Sequence, residues 1–70
     1  MSWDSKYINF GVLKTDNDKV HVYSDRNNYI TIYVGTNVVN ATWAGGEINV
    51  YLSNGKVQRY SDKNNYQTIY

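Results

Sequence analysis

The chain has 70 residues, seven Lys/Arg against six Asp/Glu for a net charge of +1, and neither cysteine nor proline. That length holds one domain, residues 1–70, with one small core, and the missing thiols exclude a disulfide framework. A single histidine, His21, excludes the usual zinc tetrad, and the near-neutral balance removes the electrostatic case for duplex nucleic acid or an anionic membrane.

Tyr, Val, Ile and Thr dominate the alternating runs, and Asn, Asp, Ser and Gly separate them, so the chain reads as all-β. In chain order the pattern predicts strands at 6–13, 19–24, 29–34, 37–43, 47–52, 56–60 and 65–70. The first alternates Ile8, Phe10 and Val12, and Asp16-Asn17-Asp18 turns the chain into the second. Ser24–Asn28 separates the second from the third, and Gly35-Thr36 joins the two halves. Ala44-Gly45-Gly46 follows Trp43, which reads as a cap on the core. Asn54-Gly55, between INVYL and KVQRY, is the best short-range hairpin signal because both residues accept positive φ. Ser61–Asn65 leads into the last strand, which reaches Tyr70.

The chain repeats itself. KVHVYSDRNNYITIY at 19–33 and KVQRYSDKNNYQTIY at 56–70 are identical at eleven of fifteen positions, at an offset of 37. Ile8-Asn9-Phe10 weakly matches Ile48-Asn49-Val50 at an offset of 40, with the three-residue difference falling in a turn. The repeat units are therefore about 6–34 and 46–70, each a supersecondary unit that buries one face against the other.

If SDRNN closes a hairpin, Tyr23 pairs with Tyr29, Val22 with Ile30, His21 with Thr31 and Val20 with Ile32. The same register pairs Tyr60 with Tyr66, Arg59 with Gln67, Gln58 with Thr68 and Val57 with Ile69. Val22 and Ile30 thus become Arg59 and Gln67, a cross-strand pair that changes polarity together. An apolar pair present in only one copy leans toward a subunit interface at Val22 and Ile30 rather than the core. The expected core is Ile8, Phe10, Val12, Val20, Ile32, Val39, Ala41, Trp43, Ile48, Val50, Leu52, Val57 and Ile69. So few side chains leave little surplus over ordering entropy, which favours a homo-oligomer.

Six or seven short strands suit a small antiparallel barrel or a two-sheet sandwich built from the internal duplication. The alternative is a set of propeller-like blades completed by oligomerisation, with 38–70 as one four-stranded blade. No apolar run spans a bilayer, and MSWDSKYINF lacks a basic-then-apolar leader, which predicts a cytoplasmic location.

No enzyme is expected. His21 is matched by Gln58 in the other copy, and no serine sits in a nucleophile elbow. The oxygen-rich loops lack the twelve-residue calcium pattern, so they read as Asx-turns, with no metal or cofactor. Asn40-Ala41-Thr42 matches a glycosylation acceptor but reads as part of a strand. The chemistry that remains is recognition. Tyr23, Asp25, Asn27, Asn28 and Tyr29, with Tyr60, Asp62, Asn64, Asn65 and Tyr66, form two equivalent sets of rings and hydrogen-bonding groups. Sugars offer C–H faces to rings and hydroxyls to Asn and Asp, so a lectin-like, bivalent glycan-binding module is the first reading. A protein–protein module, self-assembling or inhibiting a partner, is the alternative, and single-stranded nucleic acid on the tyrosine platform is third.

Overall fold

A computed structural model describes residues 3–70; residues 1–2 of the expected domain lie outside the described residues. The elements are α1 (Ser5–Phe10), β1 (Leu13–Asp16), β2 (Lys19–Tyr23), β3 (Tyr29–Tyr33), β4 (Val38–Ala44), β5 (Glu47–Leu52), β6 (Val57–Tyr60) and β7 (Tyr66–Thr68). The strands form two antiparallel meanders, a three-stranded sheet β1-β2-β3 and a four-stranded sheet β4-β5-β6-β7. One hydrophobic cluster is shared by both sheets.

Six of the seven expected strands form. The exception is the first, where α1 replaces the expected strand through Ile8 and Phe10. A short alternating apolar run does not separate strand from helix, and here chain termination decides. Gly11 adopts φ 72, and its N–H donates to the Tyr7 carbonyl at 2.9 Å, closing the helix in the left-handed geometry that glycine tolerates. The helix turns Tyr7 toward the core and leaves Ile8 and Phe10 exposed. The strand that follows begins only at Leu13.

The turns follow local chemistry. Ala44 pairs with Glu47 across Gly45 and Gly46, both at positive φ, the two-residue turn that matches strand twist. At Asn54-Gly55 the hairpin closes differently from expectation: Gly55 alone takes positive φ, and the Leu52 N–H donates to the Lys56 carbonyl at 2.9 Å. Ser53-Asn54-Gly55 is therefore a three-residue loop, with Asn54 Oδ1 accepting the Lys56 N–H at 3.0 Å.

The buried core is Trp3, Val20, Val22, Ile32, Ile48, Val50, Leu52 and Tyr60. It corrects the expected core in both directions. Ile8, Phe10, Val12, Val39 and Ile69 are exposed, while Trp3, Val22 and Tyr60 are buried. Val22 is fully enclosed and Ile30 packs half-buried against the same cluster, so this pair is core and Val22 has no surface to give a subunit interface. Trp3 enters from outside the repeat. Its ring packs edge-on against Trp43 at 6.0 Å and Tyr7 at 5.8 Å, and its indole N–H donates to the Tyr60 carbonyl at 3.0 Å. By contrast, the Trp43 indole nitrogen is buried with no partner among the described residues.

The hairpin registers follow the sequence pairing. Tyr23, Val22, His21 and Val20 face Tyr29, Ile30, Thr31 and Ile32. Tyr60, Arg59 and Gln58 face Tyr66, Gln67 and Thr68, and the Ile69 N–H donates to the Val57 carbonyl at 2.8 Å. The two hairpins nevertheless turn opposite faces inward. In β2-β3 the aliphatic face, with Val20, Val22 and Ile32, is buried and the tyrosine face looks outward. In β6-β7 the face of Tyr60 lies beside Ile48 and Val50 in the core, and Arg59 and Gln67 look outward. The paired change of polarity follows from this inversion: the face that is core in one copy is surface in the other.

Candidate binding sites at the two matched loops

Each hairpin ladder ends on a tyrosine pair, and five residues must reverse the chain. In both loops the first residue, serine, donates its N–H to the carbonyl of the fifth at 3.0 Å, Ser24 to Asn28 and Ser61 to Asn65. The aspartate organises the interior. Asp25 Oδ1 accepts the Asn27 N–H at 2.8 Å, and its carboxylate oxygens accept the Asn28 side-chain amide at 3.0 and 2.9 Å. Asp62 accepts the Asn64 N–H at 2.8 Å and the Asn65 amide at 2.9 and 2.7 Å, with a further bond from the Asn65 N–H at 2.9 Å. These are Asx-turns, in which a short polar side chain replaces a strand partner.

The bonds shift the carboxyls. Asp25 is held below the ordinary carboxylate value chiefly by the Asn28 side-chain amide, then by the Asn27 N–H. Asp62 is lowered first by the Asn64 N–H and then by the Asn65 amide. Both are committed to shaping their own loop. Asn27 and Asn64, in contrast, make no side-chain hydrogen bond among the described residues and lie exposed.

The tyrosines divide into an anchored and a free ring in each copy. Tyr23 is half-buried and meets Tyr29 at 4.9 Å; Tyr60 is buried and stacks on Tyr66 at 5.0 Å with 28° between planes. Tyr60 also donates its hydroxyl to Gln58 Oε1 at 3.2 Å, and burial, with a smaller contribution from Tyr66, pushes its phenol up to about 12. Tyr29 and Tyr66 are 51 % and 56 % exposed, so each loop displays one ring to solvent.

A shallow cleft opens beside each loop. The first, about 460 Å³, is lined by Lys6, Tyr7, Ser24, Asp25, Asn28, Tyr29 and Ile30. The second, about 310 Å³, is lined by Glu47, Arg59, Ser61, Asn65, Tyr66 and Gln67. Ser24, Asn28, Tyr29 and Ile30 of one correspond to Ser61, Asn65, Tyr66 and Gln67 of the other at the offset of 37. The surroundings differ: α1 brings Lys6 and Tyr7 to the first, and the Arg59–Glu47 pair, 3.8 Å apart, borders the second.

Of the ten residues singled out from the sequence, Asp25, Asn28 and Tyr29 line the first cleft, and Asn65 and Tyr66 line the second. Tyr23, Asn27, Tyr60, Asp62 and Asn64 stand outside the linings. Sequence reasoning missed Ser24 and Ser61, although both belong to the repeated motif and carried that signal. It also missed Lys6, Tyr7 and Glu47, which reach the clefts only through tertiary packing.

Among the described residues no three His, Cys, Asp or Glu side chains gather as a metal site, and no helix is long and apolar enough to cross a membrane. Comparison with known proteins finds no matching family model, no matching curated protein and no matching solved structure.

Proposed function

We propose that this chain is a non-enzymatic, glycan-binding module with two related sites, derived by internal duplication. The observation that carries the reading is the recurrence of Ser, Asn and Tyr at equivalent positions around two clefts. Their volumes, about 460 and 310 Å³, are of the size that holds one or two sugar rings. Tyr29 and Tyr66 supply the flat apolar surface for a sugar's C–H face. Asn27 and Asn64, at the loop tips, have free amides for hydroxyls, and the Asp carboxylates act indirectly by fixing loop shape. The reading therefore moves the stacking role from Tyr23 and Tyr60 to Tyr29 and Tyr66.

An enzymatic reading has one constellation to consider. His21 Nδ1 lies 3.0 Å from Thr31 Oγ1, and its Nε2 lies 3.9 Å from Asp16 Oδ2. The row lies across three strands of an open outer face, with the His21 ring 4.7 Å from that of Tyr29, and lines neither cleft itself; we read it as a cross-strand ladder. Protein recognition is the second reading, favoured by the outward tyrosine face of β2-β3.

An amide-shift titration of labelled protein with pooled glycans and, separately, short oligonucleotides tests the proposal. Shifts in both loops with glycans, abolished together by Tyr29→Ala and Tyr66→Ala, are expected. Shifts with oligonucleotides alone would replace the reading with single-strand recognition, and silence in both pools would leave a protein partner.

A further inference from the structure

We infer that the first cleft prefers acidic sugars, through Lys6, and that the second does not. The inference rests on the glycan reading of the two clefts and names the ligand class of the first. It comes from what the duplication did not copy. Ser24, Asn28 and Tyr29 recur as Ser61, Asn65 and Tyr66, so a sugar meets the same ring and the same hydrogen-bonding groups in both clefts. The charged side chains of the walls do not recur. The first cleft has Lys6 from α1 and Asp25 from its loop, and the second has Glu47 from β5 and Arg59 from β6.

Each cleft thus holds one cation and one carboxylate, but they are spent differently. In the second cleft, Arg59 Nε lies 3.8 Å from Glu47 Oε1 and donates to Asn49 Oδ1 at 3.0 Å. Its charge is compensated within the protein, and Glu47 repels an incoming anion. In the first cleft the carboxylate of Asp25 is taken up by its own loop, accepting the Asn27 N–H at 2.8 Å and the Asn28 amide at 3.0 and 2.9 Å. Lys6 enters none of the ion pairs among the described residues, and its Nζ lies 5.3 Å from the centre of the Tyr7 ring. An ammonium without a carboxylate partner therefore stands on the wall of the first cleft alone. The charge of Asp25 still opposes an anion there, which keeps the preference small. Arg26 and Lys63 occupy the same loop position in the two copies and line neither cleft, so they do not separate the sites.

The position of Lys6 is set by its neighbour. Tyr7 packs against the core, edge-on to Trp3 at 5.8 Å, and leaves Lys6 exposed beside it. When a sugar lays its C–H face on Tyr29, an acid group carried at the edge of the sugar ring projects sideways, toward the cleft wall. A lysine ammonium is a compact point charge with three donors, so it accepts a carboxylate or a sulfate without requiring a two-pronged geometry. The ligand class is a sugar with an anionic group at its ring edge.

Amide-shift titration of the labelled full chain with matched sugars tests this. The methyl glycosides of glucose, galactose and mannose are each compared with the methyl glycoside of the corresponding uronic acid, and galactose 6-sulfate supplies the sulfate arm. In the first loop, residues 24–28, the acidic member is expected to bind about two- to five-fold tighter than its neutral partner, the contribution of an exposed ion pair. The second loop, residues 61–65, is expected to show no such gain. Lys6→Gln is expected to bring acidic and neutral partners to equal affinity, Lys6→Arg to restore the difference, and high salt to erase it. Amide spectra check that both variants keep the fold. A gain with galactose 6-sulfate alone identifies a sulfated sugar, and a gain with the uronates alone identifies a carboxylate. Neutral sugars that bind as tightly as acidic ones at the first loop overturn the inference and leave the glycan reading standing. An acidic preference that is equal in both loops, or that survives Lys6→Gln, does the same. If no sugar, neutral or acidic, shifts either loop, the glycan reading itself falls and this inference with it.

Discussion

Exchanging the polarity-switching pair between the hairpins has an asymmetric outcome that follows directly from their inversion. Val22→Arg with Ile30→Gln places a cation at a site with no solvent exposure. Removing Val22 forfeits about 1.5–3 kcal/mol of burial. Burying an unpaired charge, or displacing the strand to avoid doing so, adds several kcal/mol more. Stability per residue of about 0.05–0.15 kcal/mol gives a chain of this length roughly 4–10 kcal/mol in total. The double variant is therefore expected to be largely unfolded. The reciprocal exchange, Arg59→Val with Gln67→Ile, acts on the outer face. It loses the bond from Arg59 Nε to Asn49 Oδ1 at 3.0 Å and the 3.8 Å approach to Glu47, and it gains two good strand formers. Its net effect is expected within about 1 kcal/mol. Urea titration reads both exchanges through tryptophan fluorescence, since Trp3 and Trp43 pack together at the core. Equal costs for the two exchanges, or an unchanged midpoint for Val22→Arg with Ile30→Gln, would refute the inverted packing.

The two tryptophans differ in a way that substitution separates. Trp3→Phe breaks the bond to the Tyr60 carbonyl, whereas Trp43→Phe removes an unpartnered donor; the first is expected to cost about 0.5–1.5 kcal/mol more by chemical denaturation. Tyr60 is neutral in the fold up to about 12, so above pH 10 the unfolded chain loses this proton first, and stability declines from pH 10 to 12. Tyr60→Phe is expected to flatten that decline by about 2–3 kcal/mol relative to the parent; an unchanged slope would show that Tyr60 ionises freely. Gly11→Ala forces a side chain into φ 72 and is expected to lower stability by about 1–2 kcal/mol, read as a shift in the melting temperature. Asp25 and Asp62 ionise below the ordinary value, so their loop bonds are kept at neutral pH and lost as pH falls through their folded values. Amide shifts of Asn27 and Asn64 followed down to acid are expected to move together, and Asp25→Ala is expected to abolish the change in the first loop alone.

The residues differ in how much of this was legible before the fold. Hairpin register was legible because two closely similar segments fix it twice, and the joint difference of Val22–Ile30 from Arg59–Gln67 identified cross-strand partners. What the change meant was not legible, since a sequence states that two positions share a face but not which way that face points. A subunit interface and an inverted core make the same pattern, and only the enclosure of Val22 separates them. Ile8 and Phe10 misled for another reason: alternation over a few residues is shared by a strand and one face of a short helix, and Gly11 decides between them. Trp3 carried no periodic signal, because its role comes from a single long-range bond to Tyr60 and two edge-on ring contacts.

The inversion also explains how one loop motif serves both halves without change. An Asx-turn closed by its own aspartate needs nothing from the sheet beneath it, so SDRNN and SDKNN keep nearly the same bonds whichever face is buried. The strands carry the adjustment instead, chiefly at the pair next to the tyrosines, where Val22 and Ile30 meet the core and Arg59 and Gln67 meet water. Tyr66 is the consequence. It shares the face of Tyr60, which is buried beside Trp3, Ile48 and Val50, yet remains more than half exposed, because β7 is exposed along its whole length. An exposed ring stacked on a buried neighbour is held in place on one side and open to solvent on the other, which is the geometry the proposed stacking role of Tyr66 calls for.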